Sequence, residues 1–309
     1  MADKPCYDAG ALMRRFDVIS TLIKNMEELG WGPYQADHED ANGQFEINWD
    51  YADALVTADR VTFFKYMAKS IAEAHGLRAT FMPKPFANLT GSGAHVHLSL
   101  HDKASGKNVC GGGSASMHGL SDTALKFLGG LLQLTPALTA LTNPTVNSYK
   151  RLNASTTTSG ATWSPAAATW GGNNRTNLVR VPGEFDDVAT PGARFELRLA
   201  DGAANPYLLP AAIAVAGMQG LSGAVPPAPP PSDLNMYDPS NPEVLKAIAS
   251  APQLPRSLEA ALSALDKSSE FRGALGGALI DATVKLRRKQ WDEYCAQLTA
   301  WELRTTLDC

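Results

Sequence analysis

The sequence is short of cysteine: four in 309 residues, Cys6, Cys110, Cys295 and Cys309. None pairs as Cys-x-x-Cys, and no disulfide spacing is present. They read as reduced thiols of a cytoplasmic protein, and no nucleophile signature surrounds any of them. An apolar signal core is also missing from the start, Met1-Ala2-Asp3-Lys4-Pro5-Cys6. No run approaches the roughly 20 apolar residues of a membrane span; the alanine-rich stretch 211–216 is too short. The formal net charge is −4, so no overall basic field favours nucleic acid or anionic lipid. There is no internal repeat. What is left is an ordinary soluble composition, 44% hydrophobic and 19% charged, long enough to bury a sizeable core in one large domain or two.

Along the chain, Leu12, Met13, Phe16, Ile19, Leu22, Ile23, Met26 and Leu29 recur at helical spacing, and Gly30 follows as a stop. A second helix is predicted over residues 53–75, ended by Gly76. Between them, residues 38–49 read as a turn feeding an alternating strand. A loop bounded by Pro83 and Pro85 and a glycine turn lead into a strand over 94–100. Residues 103–118 read as an exposed loop, and 121–134 as a helix. The Thr-, Ser- and Ala-rich stretch 153–174 is a long irregular segment of the kind that carries function. Residues 194–199 alternate as a strand. Asn205-Pro206 opens a helix as N-cap and first residue. Residues 225–231 read as a proline-rich linker before a helical tail from about residue 257.

Side chains alternate across a strand, so residues i, i+2 and i+4 share a face. Three segments then place chemistry on one face and an oily back on the other. Gln44, Glu46 and Asn48 oppose Phe45, Ile47 and Trp49. His95, His97 and Ser99 oppose Val96, Leu98 and Leu100. Arg194, Glu196 and Arg198 oppose Phe195, Leu197 and Leu199. A solvated sheet face favours Lys, Glu, Thr and Ser. Paired histidines with glutamates and arginines suit a site for divalent metal and phosphate instead. Mg²⁺ or Mn²⁺ prefers carboxylate oxygens with an occasional imidazole, which makes Glu39, Glu46, Glu196 and His95 the candidate ligands. Arginine forks bind phosphate bidentately, and Arg151, Arg175, Arg180, Arg194 and Arg198 flank these strands. Such parts suit an acyl-phosphate route, in which ATP phosphorylates a carboxylate and an amine displaces the phosphate. Gly91-Ser92-Gly93 lets a ligand approach the backbone closely; it is no P-loop, since no Gly-Lys-Ser/Thr follows. His75, His101 and His118 read as exposed or loop histidines, and structural ion pairing is the alternative for Arg180 and Arg194.

These residues resemble the glutamine synthetase family. The stretch from Gly91-Ser92-Gly93-Ala94-His95 through Ser99 is similar to its ATP-binding signature. Asn143-Pro144-Thr145-Val146-Asn147-Ser148-Tyr149-Lys150-Arg151-Leu152 matches a second family segment. Arg194-Phe195-Glu196-Leu197-Arg198 and Ala204-Asn205-Pro206-Tyr207 match a third. Glu39 with Gly43-Gln44-Phe45-Glu46 resembles the metal-ligand turn, and Lys84-Pro85 a family loop. The wording also looks like the type III glutamate–ammonia ligase branch, itself similar to glutamate–methylamine ligases. The resemblance implies an α/β (α+β) catalytic domain over residues 1–309, a curved, mainly antiparallel sheet wrapped by helices. It implies a ligase for L-glutamate, ATP and ammonia, with Mg²⁺ or Mn²⁺, and a homo-oligomer built as rings of six stacked in pairs. By position, Glu39 and Glu46 hold one metal, and His95 and Glu196 a second. His97 and Ser99 contact ATP, and Gly91 binds glutamate through its backbone. Arg151 clamps the α-carboxylate, Arg175 stabilises the transferred phosphoryl group, Arg180 touches ATP phosphates, and Arg198 meets both glutamate and phosphate.

Three departures qualify that expectation. The family's N-terminal β-grasp domain, and a strand with further metal-binding glutamates, have no counterpart here, which fits a fragment or truncated product. Thr157 stands where the family has a flap glutamate that holds ammonium, leaving Glu184, Asp186 or Asp187 as substitutes. Thr90 stands where an Asn precedes the Gly-Ser-Gly. Two other readings therefore stay open: ligation of methylamine or another amine, and a non-catalytic homologue that binds nucleotide or assembles into rings.

Overall fold

The structure, a computed structural model, describes residues 5–113, 116–154, 157, 163–165, 167–183 and 192–309. The first helical pattern is realised as two helices, α1 (Ala9–Met13) and α2 (Phe16–Glu28). The break falls at Arg15, whose backbone (φ −129°, ψ 23°) leaves the helical region. Only part of the apolar stripe is buried as a result: Ile19, Leu22 and Met26 are covered, whereas Met13, Phe16 and Leu29 stay exposed. Gly30 and Gly76 end their helices with positive φ, as their stop signals require.

Strand β1 (Pro33–His38) pairs antiparallel with β2 (Phe45–Trp49), and α3 (Ala54–Ala74) follows. Ile47 and Trp49, from the predicted oily face of β2, pack against Leu22 and Met26 of α2, Met67 of α3, and Trp31. This hairpin is a two-stranded sheet of its own.

The second sheet is built from β3 (Val96–Leu98), β4 (Trp170–Gly171), β5 (Val179–Arg180) and β6 (Phe195–Leu197), in spatial order β3-β6-β5-β4. The β3–β6 and β6–β5 pairs are antiparallel and β5–β4 is parallel. Among the described residues the antiparallel ladders therefore dominate, and they fall in two sheets. The strand predicted over 94–100 is regular only at its centre, and 194–199 likewise. Phe195, Leu197 and Leu199 are fully buried against the helical layer.

That layer contains α4 (Asp122–Gln133), α5 (Thr135–Thr142), α6 (Val146–Leu152) and α7 (Leu208–Leu221). Asn205 caps α7 one turn early: its Oδ1 accepts from the N–H groups of Tyr207 (2.9 Å) and Leu208 (3.2 Å), so regular helix begins two residues beyond Pro206. Then come α8 (Pro242–Ser250), which the sequence pattern did not announce, α9 (Leu258–Lys267), α10 (Ser269–Leu275), α11 (Gly277–Cys295) and α12 (Ala300–Thr306). Ser257 caps α9, where the helical tail was expected to begin. No single described helix is long and apolar enough to cross a membrane; α4 and α5 pass together on length and composition, bent by 77°, and both lie in the main core.

The proline-rich stretch 225–231 is a packed strap. Ala228 N–H donates to Leu125 O (2.9 Å), and Trp170 Nε1 donates to Pro229 O (2.7 Å). It runs from α4 across the edge strand β4, and Ser232 N–H continues it by donating to Trp170 O (2.7 Å).

Helices α4 and α7 touch backbone to backbone through glycines. A Cβ at Gly220 would lie 1.8 Å from Lys126 O, and one at Gly130 would lie 2.1 Å from Ala216 O. Overpacking of this kind is expected to cost Gly220→Ala about 2–3 kcal/mol in chemical denaturation. Gly273→Ala in α10, where nothing lies within 4 Å, is expected to be neutral or to gain up to about 1 kcal/mol from helix propensity. Equal stability of the two variants would contradict the close α4–α7 contact.

Candidate active site

Strand β6 is central in its sheet, and Glu196 is its middle residue. The register sets His97 of β3 and Arg180 of β5 opposite Glu196 on either side. Cross-strand partners share a face, so the polar sides of β3, β5 and β6 coincide. Glu196 is buried, with 3% exposure, and carries a dense set of partners. Arg198 Nη1 donates to Oε1 at 2.5 Å, Arg180 Nη1 donates to Oε2, and His95 Nδ1 lies 3.1 Å from Oε1. Burial opposes the Glu196 charge, but the hydrogen bond from His95 and the adjacent arginine charges hold its carboxyl well below the usual range. His95 is pushed down to about 4, by burial first and by Arg198. It is therefore neutral at pH 7. With its proton on Nδ1 and donated to Glu196, the Nε2 lone pair is left for a ligand.

The other arginines have distinct settings. Arg180 donates from Nε (2.8 Å) and Nη2 (2.6 Å) to Asn173 Oδ1. Arg198 also donates to Arg175 O (3.1 Å) and Trp163 O (3.4 Å). Arg175 donates to the Tyr7 hydroxyl (3.0 Å), a contact that raises its pKa. Arg194 donates to His97 Nδ1 (3.1 Å). Arg151 lies beneath the site, 4% exposed, donating to Leu199 O (2.8 Å) and Arg198 O (3.1 Å), with burial lowering its pKa to about 10.

The acidic half comes from the hairpin. His38 Nδ1 lies 2.7 Å from Glu39 O and its Nε2 accepts from Gly43 N–H (3.2 Å), which fixes the turn that presents Glu39. The Glu39 pKa is raised by burial and then by the Glu46 charge, so the two carboxylates are near neighbours. This turn is tied to the glycine loop: Gln44 Nε2 donates to Gly91 O (3.1 Å) and Ser92 Oγ (3.2 Å), and Thr90 donates to Asp40. A Cβ at Gly91 would lie 2.6 Å from Pro83 O and 3.0 Å from Arg151 Cγ; one at Gly93 would lie 2.7 Å from His95 Nε2. The glycines admit the protein's own Arg151 and His95, a reason for them beyond ligand approach.

A family model described as "Glutamine synthetase, catalytic domain" matches residues 2–306. The chain belongs to the glutamine synthetase family. It is 53% identical over 307 residues to a glutamine synthetase of Rhizobium meliloti, covering 99% of this chain and 67% of that protein. It is 42% identical over 307 residues to a glutamate–methylamine ligase of Methyloversatilis universalis, covering 99% and 66%. A solved GmaS–ADP complex superposes with a TM-score of 0.88 at 56% identity, covering all of this chain and 67% of that one. The chain thus spans about two thirds of the length of these relatives, and what it carries is a ligase's catalytic domain.

The predicted site residues arrive in two groups. His95, His97, Arg180, Glu196 and Arg198 share one sheet face; Glu39 and Glu46 lie on the hairpin, where the Glu46 charge acts on Glu39. Arg175 feels the charges of both Glu196 and Glu39. Ser99 is engaged by His101, Oγ to Nε2 at 3.0 Å. His75 and His101 are exposed, as expected, whereas His118 is partly buried edge-on to Trp170, 5.8 Å between centroids. Arg180 does form the ion pair that was its alternative reading. For a divalent ion, the donors fit in kind, carboxylates with one neutral imidazole. They come as pairs, and among the described residues no three His, Cys, Asp or Glu side chains gather as a metal cluster. Glu184, Asp186 and Asp187 lie outside the described residues. Sequence reading missed Tyr7, Asn173 and the Asp40–Thr90 pair. Of these, only Tyr7 had a signal, a lone aromatic beside Cys6 ahead of the first helix.

Between pH 6.5 and about 4, unfolded His95 takes a proton that folded His95 refuses. Stability is therefore expected to fall as pH drops through that window. In pH-dependent denaturation, His95→Asn is expected to flatten the slope there by up to one proton; an unchanged slope would assign the acid sensitivity elsewhere.

Proposed function

We propose that this chain is the catalytic domain of an ATP-dependent ligase that joins ammonia to the γ-carboxylate of L-glutamate. The observation that carries the reading is Glu196, buried between Arg180 and Arg198 with neutral His95 at its side. The cluster has more positive than negative charge, as a binding place for polyphosphate requires. A divalent magnesium or manganese ion, held by His95 with Glu196 and a second by Glu39 with Glu46, would neutralise phosphate charge and fix its orientation.

In the first step a γ-carboxylate oxygen attacks the terminal phosphorus of ATP, the bond to the bridging oxygen breaks, and ADP leaves. Arg175 and Arg198 stabilise the charge on the transferred phosphoryl group, and Arg180 holds the departing phosphates. In the second step the amine nitrogen attacks the acyl carbon, the carbon–oxygen bond breaks, phosphate leaves, and the nitrogen loses a proton. His97 and Ser99 meet the nucleotide at the rim of β3. Arg151 and the Gly91 backbone address the glutamate end, with Arg151 held in place by two backbone carbonyls. The same reading includes assembly of copies into a ring. Helix α12 buries no residue and exposes Trp301 and Leu303, the kind of surface that such contacts cover.

Similarity to GmaS and to a glutamate–methylamine ligase favours methylamine as the second reading. Steady-state assays with each amine separate the two: kcat/KM is expected to be higher for ammonia, and a preference for methylamine above about a hundredfold would sink the ammonia reading. In the same assay Arg198→Ala is expected to lower kcat by about 10²- to 10³-fold, the usual effect of removing one charge-stabilising donor. Binding of Mg²⁺-ATP without turnover of either amine would instead favour the non-catalytic alternative.

A further inference from the structure

We propose that Asn173 is a positioning residue that aims Arg180, and that the strap around residue 233 holds Asn173 in place. Register brings the two together. In the parallel β4–β5 pair Gly171 lies beside Arg180, and Asn173 follows two residues past the end of β4. Its Oδ1 accepts from both Nε and Nη2 of Arg180, which fixes the plane of the guanidinium, while Nη1 is held by Glu196. Of the five guanidinium donors, these contacts engage three and leave two for a ligand. A flexible arginine becomes an oriented one, and the ordering entropy is lost before any phosphate arrives.

The loop around Asn173 is itself clamped. Gly172 N–H donates to Asp233 Oδ1 (2.9 Å), and Asn174 Nδ2 donates to Leu234 O (2.7 Å). Gly171 is pressed so closely on the strap that a Cβ there would lie 2.3 Å from Ser232 O. A tie on each side of Asn173 leaves its side chain little choice but to face Arg180. Asn173 is exposed, so its substitution removes an acceptor without opening the core.

This inference rests on the reading of Arg180 as a phosphate contact, and the test separates the two. The chain and its Asn173→Ala, Asn173→Asp and Arg180→Ala variants are compared by calorimetric binding of ADP with Mg²⁺, and by the exchange rate of the Arg180 Nε–H proton in NMR. Asn173→Ala is expected to weaken ADP binding by about tenfold, the effect of one charge-assisted hydrogen bond, and to speed exchange of the Nε–H. Asn173→Asp keeps an acceptor and is expected to retain both properties within about threefold. A loss in Arg180→Ala with none in Asn173→Ala overturns the positioning role alone. No loss in either, or no ADP binding by the parent chain, overturns the phosphate reading of Arg180 and this inference with it.

Discussion

The site depends on one buried carboxylate. Moving Glu196 and its two arginines out of water costs several kcal/mol per ion. The cost is offset because every partner is delivered by the strands or by the residue flanking one of them. Arg180 comes from the neighbouring strand in register, Arg198 from the residue just past the end of β6, and His95 from the residue just before β3 on the other side. Removing any one of them leaves charge without its compensation. That dependence also orders the elements around it. Strand β6 must be central, its back must be fully apolar, and the helical layer must cover Phe195, Leu197 and Leu199.

A second constraint joins the basic sheet face to the acidic hairpin. The two sheets share no strand, so the link is made by the loop that carries Gly91, Ser92 and Gly93. Gln44 and Asp40 hold this loop from the hairpin side, and Arg151 packs under it. Opposite charges are thereby held on separate supports that the glycine loop ties together. Glu196 offsets only part of the charge of Arg180 and Arg198, so the sheet face keeps a net positive charge beside the acidic hairpin.

Much of this was legible in the sequence because period-two alternation is a local property. The faces of 44–49, 94–100 and 194–199 follow from which residues are apolar, and the burial of Phe195 and Leu197 and the partial burial of Ile47 and Trp49 agree with them. The partition into two sheets was not legible, since pairing between strands is set by contacts far apart in the chain. The same limit hid the strap. Proline and alanine at 225–231 carry no sign that Trp170 and Leu125 will receive them. The break at Arg15 was hidden for another reason: the apolar spacing runs straight through it, and only the backbone angle of one residue departs. Asn173 and the bond from Thr90 to Asp40 were invisible because a single polar side chain in a loop has no periodicity to reveal its partner.

The choice of amine is the hardest property to read from this fold, for a reason of energy scale. Ammonium and methylammonium differ by one methyl group in place of one N–H donor. A pocket that merely tolerates a methyl group discriminates by about 1–3 kcal/mol, whereas one built to accept every N–H of ammonium discriminates much more strongly, because the substitution leaves a buried acceptor unpaired. The difference lies in one or two acceptor atoms and not in the chain's architecture. That is why a chain 53% identical to a glutamine synthetase can also superpose on GmaS with a TM-score of 0.88. On the proposed reading, the sheet, the arginines and the acidic residues serve the phosphoryl half of the reaction, which is the same for both amines.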